Sequence, residues 1–150
     1  ADFYVGRGDS LEWLGSIAWD GYPDPPGHPS ALGRVSTEAE YRDAVETMLA
    51  VRPDATRPAD GWPWPWPTSA TTDFAYSFHA GNVIVSNFGG AWLTWAEWSE
   101  LHAEREKARA AGEDGPEWPE SPAPALPSME RGARPTLGPR SGLLVMTSKS

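Results

Sequence analysis

His28, His79 and His102 are the only imidazoles in the chain. With Asp73 and Glu97 they are the side chains best suited to hold a metal or to move protons. No two of them stand at HxH or HxxxH spacing, so no single strand or helix would deliver a pair of ligands. The simpler reading is structural: His79 closes a strand and His102 packs on a helix face. The chain has no cysteine, which excludes disulfides and thiolate zinc sites. Its serines lack a GxSxG elbow, and neither a GxGxxG nor a GxxxxGKS/T loop is present to cradle phosphates. These residues lead us to expect no catalytic site, no cofactor and no metal. A hydrolase built on Asp73 and the histidines is the enzyme reading to be tested, through metal-dependent turnover.

Binding chemistry is better represented. Trp62, Trp64 and Trp66 alternate with prolines in WPWPW, a pattern that favours an extended path. Exposed indoles there would form a ligand or partner surface, or a stacking platform for a glycan or single-stranded nucleic acid. The competing expectation is that this loop folds back and its rings complete the core, because Trp is usually well buried. Arg7-Gly8-Asp9 spells an adhesion tripeptide, but a tight turn explains its glycines better.

The 150 residues carry 12 Lys+Arg against 21 Asp+Glu, a net charge of −9. That balance argues against direct binding of duplex DNA, which calls for a basic face. Within residues 1–112 the 16 acidic residues are interspersed with eight basic ones, so they make no unbroken phosphate-like stripe of the kind a DNA mimic needs. No apolar run approaches the ~20 residues of a membrane span, so no membrane partner is expected. The opening ADFYVGR has no charged start followed by an apolar run, which points to a cytoplasmic product.

The elements that must position these residues follow from periodicity. Residues 2–5 and 11–19 read as strands, with Phe3 and Val5 on one face and Trp13 and Ile17 sharing another. Residues 20–35 hold too many prolines for a central strand. Residues 37–51 read as a helix. Thr37 and Glu40 form a capping box, Tyr41, Ala44, Val45, Met48 and Leu49 form an apolar stripe, and Pro53 stops it. Residues 52–71 read as a loop. Residues 72–79 and 83–88 form a hairpin across Ala80-Gly81-Asn82. Thr94 and Glu97 open a second helix, about 95–111, whose inner stripe is Trp95, Trp98, Leu101 and His102 and whose closing residue is Gly112. The order predicts an α+β fold: a small, mainly antiparallel sheet with two helices on one face.

Composition changes after 112, which divides the chain into a compact domain (1–112) and a Pro-rich extended or disordered arm (113–150). The arm has seven prolines; its first part, 113–130, has five acidic and no basic residues, and 131–150 has four basic and no acidic ones. Trp118 and the run Leu143, Leu144, Val145 and Met146 are the arm's candidates for docking on a partner.

YVGRGDSLEWLGSIAWDGYP (4–23), GWPWPWP (61–67) and TTDFAYSFHAGNVIVSNFG (71–89) resemble a group of small proteins of actinobacteria and their phages. Ten Arg against two Lys, with no Gln, agree with a GC-rich coding bias. The resemblance implies a mobile-element or phage-accessory setting and carries over no catalytic residue. The expectation is therefore a non-enzymatic accessory protein that binds a protein partner. That partner would be a host protein or a neighbouring virion subunit, and the location the cytoplasm or the virion.

Overall fold

Phe74, Tyr76 and Phe78 alternate with Ala75, Ser77 and His79, and this period of two builds the central hairpin. The computed structural model describes residues 1–19, 21–23 and 30–121. Its strands are β1 (Asp2–Val5), β2 (Glu12–Ile17), β3 (Ala55–Thr56), β4 (Phe74–His79), β5 (Asn82–Asn87) and β6 (Leu93–Thr94). They form one six-stranded sheet in the order β3-β2-β1-β4-β5-β6. Neighbours are antiparallel except β1 and β4, which run parallel. Helices α1 (Glu38–Val51) and α2 (Trp95–Ala110) complete an α+β fold.

Both helices pack on one face of the sheet. Phe3, Val5, Ile17, Phe74, Tyr76, Phe78, Val83 and Val85 meet Tyr41, Val45 and Leu49 of α1 and Trp95 of α2. Local signals fix the helix ends. Thr37 Oγ1 accepts from the Glu40 N–H at 3.1 Å. The reciprocal half of that box is displaced by one residue, since Glu40 accepts from the Ser36 N–H at 2.8 Å. At α2 the box is complete, with Thr94 and Glu97 exchanging hydrogen bonds of 3.1 and 2.8 Å. Gly112 at φ +74° closes α2, the Glu113 N–H reaching the Ala108 carbonyl at 2.8 Å. Of the expected inner stripe only Trp98 is fully buried; Trp95, Leu101 and His102 are half-buried.

Two sequence expectations are corrected in β2. The strand ends at Ile17 rather than 19, and a bulge shifts its register. Phe3 pairs with Gly15 while the adjacent Tyr4 pairs with Trp13. Trp13 therefore faces away from the helices and Ile17 toward them, although a regular strand would put both on one side. Gly15, at φ +148°, is required there: a Cβ would lie 2.7 Å from Leu49 Cδ1 and 2.7 Å from the Thr56 carbonyl oxygen.

The other face of the sheet is covered by the chain from 61 to 72. Trp62 is buried there against Tyr4, Leu11, Trp13, Ala75, Ile84 and Trp92. At the far end, residues 113–121 lie on the body rather than leaving it at 112. Trp118 stacks on Trp98 at 5.6 Å and meets Phe74 edge-on at 6.4 Å. Its indole N–H donates to the Ala91 carbonyl at 2.8 Å, and the Ala91 N–H donates to the Pro119 carbonyl at 2.9 Å. Trp118 is thus half-buried against the chain's own core. His28 and the candidates Leu143, Leu144, Val145 and Met146 lie outside the described residues. Among the described residues no helix is long and apolar enough to cross a membrane.

Candidate functional site

The register of β1 against β2 brings Asp2, Tyr4, Trp13 and Ser16 to the sheet face opposite the helices. Asp2 is fully buried there. Its Oδ1 accepts from Ser16 Oγ at 2.5 Å and from Trp64 Nε1 at 2.7 Å, and its Oδ2 accepts from Ser69 Oγ at 2.5 Å. Trp13 Nε1 donates to Ser16 Oγ at 3.1 Å, and the Tyr4 hydroxyl lies 2.6 Å from Ser69 Oγ. Because Ser69 gives its proton to Asp2, Tyr4 is the donor in that pair. Burial, with the Asp2 charge behind it, pushes the Tyr4 phenol well above its ordinary range, which keeps it a donor. Two relays, Tyr4–Ser69 and Trp13–Ser16, therefore converge on one carboxylate. Ser16 and Ser69 are both 1% exposed and their protons are committed, so the cluster fastens the covering loop and offers no accessible nucleophile.

The loop it fastens is WPWPW. Trp62 Nε1 donates to the Trp66 carbonyl at 2.7 Å, and Trp66 Nε1 to Thr72 Oγ1 at 2.8 Å. With Trp64 on Asp2, every indole N–H of the motif is used inside the chain. Trp62 meets Trp13 edge-on and is sealed from solvent. Trp64 and Trp66 stack on each other at 5.3 Å with an interplanar angle of 12° and are half-buried.

The candidate chemical residues are not assembled. His79 is exposed at the end of β4, opposite Asn82. His102 lies against Trp98 with ring centroids 5.3 Å apart. Asp73 and Glu97 are exposed, and Glu97 serves the α2 cap. Among the described residues no group of three or more His, Asp or Glu could hold a metal ion. Arg7-Gly8-Asp9 enters the single helical turn Gly8–Ser10 between β1 and β2. Several acids are bound by arginines: Glu12 and Glu38 by Arg42, Asp54 by Arg52, and Glu46 by Arg57.

Beyond the expected residues, the structure holds an exposed aromatic on a clamped backbone. Trp19 follows β2 and is 59% exposed. The N–H groups of Ala18 and Trp19 donate to Asp54 Oδ2 at 2.9 and 3.0 Å, and Arg52 Nη2 donates to the Trp19 carbonyl at 2.6 Å. Arg52 also holds Asp54 through contacts of 2.8 Å to both carboxylate oxygens. These arginine hydrogen bonds, more than any other influence, bring Asp54 down to about 2. The main chain of Trp19 is thus fixed by an ion pair at the foot of α1 while its ring faces outward. The clamp joins residues 19, 52 and 54, a pairing that no sequence spacing announces.

A groove of about 730 Å³ lies between the C-terminal half of α2, the β5–β6 turn and residues 113–120. Arg105 and Arg109 line one wall and Phe88 stands at the other. Comparison of the chain with protein-family models, curated proteins and solved structures gives no match, so its own geometry carries the functional reading.

Proposed function

We propose that the protein acts without catalysis, by binding a protein partner, and that Trp19 is the anchor of that contact. The observation that carries this reading is the pairing of a 59% exposed indole with a backbone clamped at both its N–H and its carbonyl. Binding hot spots are enriched in Trp, and an anchor whose backbone is already ordered loses little entropy on docking. The sequence resemblance supports a phage or actinobacterial accessory role, with a host protein or a neighbouring virion subunit as partner, in the cytoplasm or the virion. The net charge of −9 favours a partner with a basic surface.

The test is capture from an actinobacterial host lysate by immobilised wild-type protein and by Trp19→Ala. A protein retained by the wild type and lost by the variant, with unchanged near-ultraviolet circular dichroism, is the expected result. Equal retention by both contradicts it. A stacking platform for a glycan or single-stranded nucleic acid is the second reading, favoured by the near-parallel, half-buried rings of Trp64 and Trp66. It predicts a shift in Trp fluorescence on titration with such ligands that Trp19→Ala leaves intact.

A further inference from the structure

Phe88 occupies a position that suits a different residue. It sits at φ +47° in the turn after β5, followed by Gly89 at φ +75°. Two consecutive positive φ values define a turn in which Asn or Gly is at ease and an aromatic residue is strained. The ring is nonetheless 63% exposed, at the wall of the groove beside α2. Glu113, Asp114, Glu117 and Glu120 supply four carboxylates to the same groove. Arg105 and Arg109 line it as well, so it combines an uncovered aromatic ring with four carboxylates against two guanidiniums, a net negative lining.

The described chain ends beside this groove. Trp118 and Pro119 are pinned to Ala91, and Pro119 and Glu120 are themselves lining residues. The sequence beyond contains a complementary segment. Residues 131–150 carry Arg131, Arg134, Arg140 and Lys149 with no acid, around the apolar run Leu143, Leu144, Val145 and Met146. At ~3.3 Å per residue the stretch 122–142 is long enough to return to the groove. A segment tethered at the rim is presented at effective concentrations on the order of millimolar, so a weak site suffices.

We propose that this groove is the docking site of the chain's own basic segment, residues 131–150, with the run 143–146 against Phe88 and the basic side chains on its carboxylates. The inference stands apart from the role of Trp19. Covering the groove in this way would remove the Phe88 ring from solvent.

The chain's lack of cysteine allows clean double labelling. Nitroxides are placed at Ala110→Cys, exposed on α2 beside groove-lining Arg109, and at Ser141→Cys, two residues before the apolar run, in the full chain. Pulsed electron-resonance distances are expected to be short and narrowly distributed at low salt. They should broaden in about 1 M salt, where screening acts within about 3 Å, and in the Glu117→Lys/Glu120→Lys variant. Adding Arg131→Glu, Arg134→Glu and Arg140→Glu to that variant should restore the narrow distribution. Near-ultraviolet circular dichroism of the tryptophans checks that each variant folds. A broad distribution at low salt, or a narrow one indifferent to salt and charge reversal, overturns the proposal. So does a short distance that appears only between singly labelled molecules when they are mixed, which would mean docking on a second copy.

Discussion

A carboxylate buried as deeply as that of Asp2 is tolerated because hydroxyl and indole donors meet both of its oxygens. Removing it leaves the buried hydroxyls of Ser16 and Ser69 and the half-buried indole N–H of Trp64 without their acceptor. Asp2→Ala is expected to cost at least about 3 kcal/mol in urea unfolding, against about 1–2 kcal/mol for Ser16→Ala. Similar losses for the two variants would mean that the carboxylate is not the hub. Asp54 supplies the matching pH prediction. Its folded value of about 2 lies below the ordinary carboxylate value of about 3.9, so the unfolded chain binds more protons in the interval between them. The stabilisation is complete above about pH 4 and is lost as the pH falls toward 2. Unfolding midpoints measured across that window should fall less steeply for Asp54→Asn than for the wild type.

At the level of elements, three backbone positions with positive φ shape the sheet: Ala80, Gly81 and Gly15. Ala80 at φ +52° and Gly81 at φ +81° make the β4–β5 turn, and the first of these suits Asn better than Ala. Ala80→Asn is expected to stabilise the fold by roughly 0.5–1 kcal/mol, read from the shift in denaturant midpoint at unchanged slope. Gly15→Ala should act in the opposite direction, by about 2–3 kcal/mol. It combines a strained φ with contacts of 2.7 Å to Leu49 and Thr56. These positions also show how far the elements were legible. Both helices, their Thr caps, the Gly112 closure and the 74–87 hairpin rest on neighbours within a few residues, and all can be read directly from the sequence. The Trp13/Ile17 inversion depends on β1 pairing across a bulge, and the parallel β1–β4 pair joins residues more than 70 positions apart. Neither leaves a local signature. β6, two residues long, is recognisable only by its pairing with Ile84 and Val85.

For the whole molecule, the sheet is covered on both faces by different means: helices on one side, the WPWPW loop on the other. This arrangement turns the most conspicuous motif of the sequence largely inward. Three of its N–H groups are spent on Trp66, Asp2 and Thr72. Trp19, which reads in the sequence as one more strand residue, is left facing out. Alternating prolines and indoles advertise an unusual path but do not say which side of it meets solvent. The Trp19 clamp was illegible because its two charged members come from the chain after α1, more than 30 residues away.

If Trp19 anchors a protein partner, as proposed, its loss must show in the affinity for the purified captured protein. Titration calorimetry on wild type, Trp19→Ala and Trp66→Ala, each with its thermal midpoint recorded, is the measurement. Trp19→Ala is predicted to weaken binding by at least about tenfold, as hot-spot truncations do, with an unchanged midpoint, while Trp66→Ala binds as the wild type does. Undiminished affinity of Trp19→Ala, or loss of binding in Trp66→Ala alone, would mean that Trp19 is not the anchor.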